Sequence, residues 1–85
     1  MLEKTVEQNF KKHIEKQGGL CWKWVSPGTK GVPDRIVLLP GGKIIFAELK
    51  APGCKLSPIQ EKRKRQIEAL GFEYRVVDSN DFQTT

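Results

Sequence analysis

The sequence predicts an α/β fold with the element order α-β-β-β-α-β and a mixed central sheet flanked by helices. Apolar residues recur at helical spacing in two segments of the chain. Short runs rich in β-branched and aromatic residues lie between and after these segments, separated by turns that contain glycine and proline. The chain is predicted to be one domain spanning residues 1–85. A core of this size is small enough that a second subunit would add stability.

The first two predicted elements are a helix and a strand. The helix spans Glu3 to Lys16, and three apolar residues share its buried face: Val6, Phe10 and Ile14. The pair Gly18-Gly19 ends this helix. Leu20 to Val25 is then a strand, with Trp22 and Trp24 at alternate positions. We expect the two tryptophans to lie in the core or in a dimer interface rather than to stack on bases.

The next two predicted strands form a β-hairpin. Arg35 to Leu39 and Lys43 to Lys50 have strand composition, and Pro40-Gly41-Gly42 turns the chain between them. Both strands carry apolar residues at consecutive positions. This pattern indicates that both faces of the sheet are covered, by helices or by another subunit.

The second helix has a recognisable start and end. The segment Ser57-Pro58-Ile59-Gln60 supplies an N-cap serine, a proline at the first helical position and a glutamine that completes a capping box. Gly71 ends the helix, and Phe72 to Val77 forms the last strand. Because a helix leads into this strand, we expect it to run parallel to a neighbour. Residues 78–85 are predicted to be a short C-terminal tail.

The composition favours an intracellular protein with a polyanionic partner. Fifteen Lys and Arg residues against ten Asp and Glu residues give a net charge of +5, which suits nucleic acid without proving it. Cys21 and Cys54 stand outside any cysteine-histidine cluster and are predicted to be reduced thiols. No signal peptide or membrane-spanning apolar run is present, so the protein is predicted to be soluble and cytoplasmic.

Glu48 occupies a strand position where an apolar residue is expected. Its side chain shares a face of the strand with that of Lys50, two residues later. A carboxylate on a mostly buried strand is costly unless it is paired or binds a cation, and a structural Glu48–Lys50 pair would satisfy this requirement. The position of Asp34 favours a bound cation over the structural pair, because a three-residue turn over residues 40–42 sets Asp34 opposite Glu48. A two-residue turn would place Asp34 on the other face.

Asp34, Glu48 and Lys50 would together form a hydrolytic metal site. Two carboxylates and an adjacent backbone carbonyl, such as that of Leu49, are hard oxygen ligands suited to Mg²⁺ or Mn²⁺. Such an ion activates a bound water and neutralises charge that develops on a phosphate. The Lys50 ammonium would orient the attacking water or stabilise the transition-state charge.

Three motifs follow one another along the chain: Gly31-Val32-Pro33-Asp34, Glu48-Leu49-Lys50-Ala51-Pro52 and Ser57-Pro58-Ile59-Gln60. In this order and spacing they resemble the VRR-NUC domain of the PD-(D/E)xK nuclease superfamily, over nearly the whole chain. The chain is similar to the small stand-alone members found in phages and bacteria. The resemblance implies a restriction-endonuclease-like core that cuts DNA through Mg²⁺ or Mn²⁺. For a phage-encoded member, the location would be the cytoplasm of the bacterial host.

The resemblance also implies roles for individual residues. Three positions match the active-site residues of the family: Asp34, Glu48 and Lys50. Family members use a glutamate from the first helix as well; Glu7 fits best and Glu3 is the alternative, although a solvated helix glutamate would look the same. The implied metal ligands are Asp34, Glu48, Glu7 and the backbone carbonyl of Leu49. Gln60 matches a family glutamine that contacts the lysine, a water or a phosphate, but a capping-box glutamine needs no further role.

Several basic and small polar residues are candidates for DNA contacts: Ser26, Lys30, Arg35, Lys55 and Lys62. Such residues hold the phosphate backbone without reading the base sequence. A solvated helix face would explain Lys62 and its basic neighbours, and a turn-forming serine would explain Ser26.

The predicted function is that of a homodimeric, structure-selective endonuclease that cuts branched DNA, with four-way junctions as the leading substrate. A two-fold dimer would present two sites to two strands of a symmetric junction. The alternatives are a nicking or flap nuclease of the same fold, a basic DNA-binding module without chemistry, and a structural subunit of a larger assembly.

Overall fold

Two helices and four strands make up residues 2–79, the part of the chain that the computed structural model describes. In chain order they are α1 (Glu3–Lys16), β1 (Leu20–Lys23), β2 (Arg35–Leu39), β3 (Lys43–Leu49), α2 (Pro58–Ala69) and β4 (Glu73–Val77). The predicted element order is confirmed. β1 ends at Lys23, two residues before the predicted end at Val25. The Trp24 N–H still donates to the Asp34 carbonyl at 2.9 Å, and the chain then enters a loop. Residues 80–85 of the predicted tail lie outside the described residues.

The strands form one sheet in the order β1-β2-β3-β4. β1, β2 and β3 are antiparallel neighbours, and β4 runs parallel to β3, as predicted. Leu39 pairs with Lys43, which confirms the three-residue turn between β2 and β3. Gly41 and Gly42 in this turn have φ angles of 85° and 78°, which glycine adopts at little cost. Continued past Arg35 and Ala47, the register sets Asp34 opposite Glu48.

One face of the sheet packs on α1 and forms the core. Val6, Phe10 and Ile14 of α1, the three residues predicted for its apolar face, are each at most 2% exposed. They contact odd-numbered strand residues: Cys21, Val37, Ile45, Ala47, Leu49 and Val77. Burial of each large apolar side chain stabilises the fold by about 1.5–3 kcal/mol. The core therefore fixes which strand residues point away from α1.

The other face of the sheet carries α2. This helix begins with the predicted capping box: Ser57 Oγ accepts from the Gln60 N–H at 3.3 Å, and Gln60 Oε1 accepts from the Ser57 N–H at 2.9 Å. The helix contacts the β4 side of the sheet and leaves the β1 side open. None of the residues of α2 is buried. Within residues 2–79, α1 covers one face of the sheet and α2 covers the β4 side of the other face; cover of the β1 side by another subunit stays a prediction.

Two further sequence predictions can be compared with residues 2–79. Cys21 is buried, Cys54 is exposed, and both are free thiols. No helix in this part of the chain is long and apolar enough to cross a membrane.

Candidate active site

Asp34 and Glu48 form a carboxylate pair at one end of the sheet. Asp34 directly precedes β2, and Glu48 lies near the end of β3 with only 2% of its surface exposed. Asp34 Oδ2 accepts a hydrogen bond from the Leu49 N–H at 3.0 Å, and the Asp34 side chain is close enough to hydrogen-bond with the protonated form of Glu48. The hairpin register therefore brings together the two carboxylates that the sequence predicted to share a site.

The Glu48 carboxyl group is strongly perturbed. Its pKa is raised from 4.5 to about 8, chiefly by burial and in addition by the hydrogen bond with Asp34 and the negative charge of Asp34. The positive charge of Lys50 acts to lower this pKa, and the charge of Glu3 acts to raise it. Glu48 Oε1 is buried and has no hydrogen-bond partner among residues 2–79. At neutral pH the metal-free pair therefore retains a proton in a place where a cation would be favoured.

Gln60 links the start of α2 to this carboxylate pair. Its Nε2 donates to Glu48 Oε2 at 3.1 Å, while its Oε1 and backbone N–H complete the capping box with Ser57. The two sequence interpretations of Gln60, as a cap and as a site residue, thus describe one side chain that makes both sets of contacts.

Lys50 lies directly after β3, with its side chain partly buried. Its backbone N–H donates to the Val77 carbonyl at 2.9 Å, which holds the end of β3 against β4. The effect of its charge on the pKa of Glu48 indicates that the ammonium lies within electrostatic reach of the carboxylates. The predicted grouping of Asp34, Glu48 and Lys50 is therefore present.

A cavity of about 230 Å³ opens beside Asp34, between the start of α1 and the ends of β1 and β2. Six residues line it: Glu3, Glu7, Lys23, Trp24, Val25 and Asp34. Both helix glutamates considered from the sequence are among them. Each is thus placed where it could add a carboxylate to the Asp34 side of the site.

Glu7 and Glu3 differ in what they contact. Glu7 Oε1 lies 2.5 Å from the Arg35 guanidinium, which also donates to the Cys21 carbonyl at 3.1 Å. Arg35 is 8% exposed and belongs to the α1 face of the sheet, so its charge is held in the interior. Glu3 is exposed, and its charge acts on Glu48. The structure therefore does not present Arg35 to solvent as the prediction of a phosphate contact requires.

The loop before Asp34 is held against α2. Gly31 has a φ of 80°, and a Cβ at this position would lie 2.8 Å from Ile59 Cγ1, so only glycine fits the approach. Arg63 Nε donates to the Lys30 carbonyl at 2.8 Å. The Ser26 carbonyl accepts from the Thr29 N–H at 3.1 Å and closes a turn. These contacts fix the path of the chain into the site.

The remaining predicted DNA contacts are distributed around the site. Lys30, Lys55 and Lys62 are exposed, on the loop before β2, the loop after β3 and the first half of α2 respectively. Ser26 is partly buried. The three lysines are therefore accessible to a polyanion, whereas Arg35 is not.

Comparison with known proteins identifies the relatives of this fold. No family model matches the chain. A solved structure described as "VRR_NUC domain" matches with a TM-score of 0.87 and 34% sequence identity, covering 92% of this chain and 85% of that one. The protein named "Putative nuclease p44" of Acyrthosiphon pisum secondary endosymbiont phage 1 is 46% identical over 82 residues, which is 96% of this chain and 88% of the relative.

The chain belongs to the VRR-NUC family. Its restriction-endonuclease-like α/β fold confirms the resemblance found in the sequence motifs. A VRR-NUC fold together with a relative named as a putative nuclease supports nuclease activity.

Tyr74 is a residue at the VRR-NUC site that the motifs did not single out. It is 7% exposed, and its hydroxyl is buried without a hydrogen-bond partner among residues 2–79. Burial raises its pKa, and the charges of Glu48 and Asp34 raise it further, so the ring lies within their field. The parallel pairing of β3 with β4 is what places Tyr74 near the site. It sets Tyr74 beside Phe46, on the face of the sheet that carries Glu48.

The VRR-NUC site offers the carboxylates of Asp34 and Glu48 as ligands for a metal ion. Within residues 2–79, no group of three or more His, Cys, Asp or Glu side chains is arranged as a metal site. The pair Asp34 and Glu48 nevertheless fits a hard cation, because Glu48 Oε1 is buried and unpaired. A cation bound here would take its other ligands from backbone carbonyls, waters or substrate.

Proposed function

We propose that this VRR-NUC nuclease is a structure-selective endonuclease that depends on a divalent metal ion and hydrolyses phosphodiester bonds in branched DNA. The leading substrate is a four-way junction, and the active form is a homodimer. The observation that carries the proposal is the Asp34–Glu48 pair, in which a buried carboxylate with a pKa of about 8 keeps one oxygen without a partner. Such a pair is stabilised most simply by a bound cation.

Asp34, Glu48 and the backbone carbonyl of Leu49 would hold Mg²⁺ or Mn²⁺. The Leu49 N–H points to Asp34, and the carbonyl of a strand residue points to the same side as its N–H. A carboxylate from α1 would complete the protein ligands: Glu7 if its second oxygen is available, or Glu3, whose charge already acts on Glu48. The ion would activate a water and neutralise charge on the scissile phosphate.

The side chains around the pair would orient these groups. Gln60 donates to Oε2 of Glu48 and leaves Oε1 without a partner in the described part of the chain. The Lys50 ammonium would hold the attacking water or the phosphate oxygens and stabilise the negative charge of the transition state. Gln60 acts through Glu48, so it is a positioning residue.

DNA would be held mainly through phosphate contacts. Lys30, Lys55 and Lys62 are exposed on elements that border the site, and the chain carries a net charge of +5. Contacts of this kind make binding salt-dependent and independent of base sequence, as expected for an enzyme that recognises branch geometry. Ser26 remains a candidate for a phosphate contact. The phage relative supports a phage-encoded enzyme that acts in the bacterial cytoplasm.

A panel of DNA substrates tests this function. Labelled four-way junction, flap, nicked duplex and linear duplex are incubated with Mg²⁺, with Mn²⁺ or with EDTA. We expect metal-dependent cleavage that is fastest on the junction, and its loss in Lys50→Ala and Asp34→Asn, which should still bind DNA. Lys12→Ala on the exposed side of α1 is the matched control.

Two outcomes would contradict the proposal. Tight binding of junction DNA without cleavage in any metal would identify a binding module instead. Fastest cleavage of the flap or nicked duplex would retain the nuclease and replace its leading substrate.

A further inference from the structure

The Tyr74 hydroxyl is a buried polar group that has no hydrogen-bond partner among residues 2–79. Tyr74 is 7% exposed, so bulk solvent does not replace the missing partner. A hydroxyl taken out of water without a hydrogen bond is unfavourable, and buried polar groups in folded proteins are nearly always paired with protein atoms or with ordered water. The Tyr74 hydroxyl is therefore expected to bond to a group other than these residues.

A second unpaired atom, Oε1 of Glu48, lies on the same face of the sheet. The parallel register pairs Tyr74 with Phe46, which precedes Glu48 by two residues. Tyr74 and Glu48 are therefore diagonal neighbours on adjacent strands, and such neighbours are about 7–8 Å apart, within reach of a long side chain. Arg35 Nε also has no partner among residues 2–79, but it belongs to the α1 face. The two atoms on the Glu48 face are complementary, because a hydroxyl donates and a carboxylate oxygen accepts.

The charges around Tyr74 agree with a link to Glu48. Burial is the largest cause that raises the pKa of the Tyr74 hydroxyl, and the charge of Glu48 is the next. Three further carboxylates act in the same direction: Asp34, Glu61 and Glu68. Solvent reaches Glu61, which is partly buried, and Glu68, which is exposed. Glu48 is only 2% exposed, so it needs a buried donor more than either residue of α2 does.

We propose that Tyr74 is a positioning residue of the cleavage site, whose hydroxyl holds the Glu48 carboxyl group through one buried water. The hydroxyl donates to the water, and the water donates to Oε1 of ionised Glu48. A water fits between them because the two protein atoms are not bonded directly, and buried waters commonly bridge polar groups that would otherwise be unpaired. Gln60 already donates to Oε2. The carboxyl group is thus held at both oxygens, from α2 by Gln60 and from β4 by Tyr74.

This role rests on the proposed metal-dependent cleavage and adds a residue to it. A hydrogen bond to the ionised form stabilises a carboxylate, so Tyr74 favours the charged Glu48 that a cation requires. Residues that orient metal ligands affect metal affinity and activity without contacting the substrate. Loss of the hydroxyl should therefore change cation binding and turnover and leave DNA binding unchanged.

The sequence contains one tyrosine, which allows a test on the metal-free protein. An isotopic label on the tyrosine ring carbon that bears the hydroxyl gives a single NMR signal, that of Tyr74. We expect Glu48→Gln to shift this signal, because the amide changes the group that the water contacts. The matched control is Glu61→Gln, which removes a charge that also acts on the hydroxyl and should shift the signal less. A shift no larger in Glu48→Gln than in Glu61→Gln would overturn the proposal.

A high-resolution crystal structure of the metal-free wild type tests the water directly. We expect one water within hydrogen-bonding distance of both the Tyr74 hydroxyl and Oε1 of Glu48. A hydroxyl bonded directly to another protein group, or one with no water beside it, would overturn the proposal. Neither this measurement nor the wild-type NMR signal depends on whether a variant folds.

Tyr74→Phe keeps the ring and removes the hydroxyl. We expect kcat for junction cleavage to fall about 10-fold and the Mn²⁺ concentration for half-maximal rate to rise, while KM for DNA stays near that of the wild type. Val77→Ala is the control for stability, because it shortens a buried β4 side chain on the α1 face. An equal loss of rate per folded molecule in Val77→Ala would mean that the packing of β4, rather than the hydroxyl, determines the rate, and it would overturn the proposal.

The failure of this inference can be distinguished from the failure of the proposed function. If the NMR and crystallographic results are as expected but the wild type cleaves no DNA with any metal, the proposed function fails and the contact between Tyr74 and Glu48 stands. If the wild type cleaves DNA and Tyr74→Phe cleaves it equally fast, the positioning role fails and the proposed function stands.

Discussion

Gln60 donates from Nε2 to Oε2 of Glu48 at 3.1 Å while its Oε1 accepts from the Ser57 N–H at 2.9 Å. The two contacts use opposite atoms of one amide, and together they fix its orientation. The first turn of α2 and the position of the buried carboxylate therefore depend on the same side chain. Substitutions that keep one contact and remove the other can separate its effects on stability and on cleavage.

Gln60→Glu should reduce cleavage while it preserves the helix. A glutamate at this position also completes a capping box, but it places a second carboxylate beside Glu48 instead of a donor. We expect kcat/KM for junction cleavage to fall about 10- to 100-fold, as for other residues that orient metal ligands. Thermal unfolding should change little in the presence of metal. Cleavage within twofold of the wild type would show that the Nε2 contact is not needed.

Ser57→Ala is the complementary variant. It removes the Oγ cap of α2 and keeps the amide of Gln60, so the free energy of unfolding should fall by about 1 kcal/mol. The rate per folded molecule should stay near that of the wild type. A larger loss of rate than in Gln60→Glu would mean that the cap, rather than the contact to Glu48, controls the site.

Glu48→Gln should stabilise the metal-free protein at alkaline pH and abolish cleavage. The pKa of about 8 means that ionised Glu48 is unfavourable in the folded state, and a neutral amide of the same shape removes this cost. We expect a higher melting temperature than the wild type at pH 9 in EDTA. Glu15→Gln on exposed α1 surface should show no such gain. A lower melting temperature for Glu48→Gln would contradict the assignment.

The stability of the metal-free protein should fall as pH rises through the Glu48 titration. The folded pKa of about 8 exceeds the ordinary glutamate value of 4.5, so between these values the folded state binds more protons than the unfolded state. Stability from this group is therefore full below pH 4.5 and is lost as pH rises towards 8. The contribution of Glu48 is the difference between the pH dependence of the melting temperature of the wild type and that of Glu48→Gln. Saturating Mg²⁺ or Mn²⁺ should remove the decline, and a decline unaffected by metal would argue against cation binding at this pair.

Glu7→Gln should destabilise the fold, whereas Glu3→Gln should not. Glu7 neutralises the buried Arg35 guanidinium at 2.5 Å, so its loss should cost about 1–3 kcal/mol. Glu3 is exposed, and its substitution should change unfolding by less than about 0.5 kcal/mol. Urea denaturation in EDTA measures both values. If Glu7→Gln unfolds like the wild type but no longer binds Mn²⁺ in calorimetry, Glu7 acts chiefly as a metal ligand.

Substitution of Lys30, Lys55 and Lys62 by alanine should weaken the salt dependence of DNA binding. Each lysine that contacts a phosphate contributes about 0.9 to the slope of log affinity against log salt concentration, so the triple variant should lose about 2–3 units of slope. The matched control removes three exposed lysines from α1: Lys11, Lys12 and Lys16. An equal loss in the control would mean that net charge, rather than the position of the lysines, determines binding.

The features predicted best from the sequence follow local rules. The capping box depends on the four consecutive residues from the N-cap Ser57 to Gln60, and it is present as predicted. The pairing of Asp34 with Glu48 depends on the length of one turn, and the three-residue turn over residues 40–42 sets it. Both predictions needed only backbone geometry between residues close in the chain or joined by one hairpin.

The features missed depend on contacts between distant segments. Arg35 was grouped with the DNA contacts because of its charge, but its partner Glu7 lies 28 residues earlier, on α1. Consecutive residues of a strand point to opposite faces of the sheet, and this rule alone places Arg35 on the face opposite to Asp34. The incomplete cover of α2 over the sheet follows from how the helix packs on β4, which no pattern in its own sequence specifies.

Asp34 and Arg35 are consecutive residues with opposite environments: one joins the carboxylate pair, and the other is bound by Glu7 of α1. The peptide unit between Asp34 and Arg35 thus links the carboxylate pair to the contact with α1. For protein engineering, this makes α1 and β2 one exchangeable unit. A chimera that took α1 from one relative and β2 from another would have to match the Glu7–Arg35 contact before Asp34 could be placed correctly.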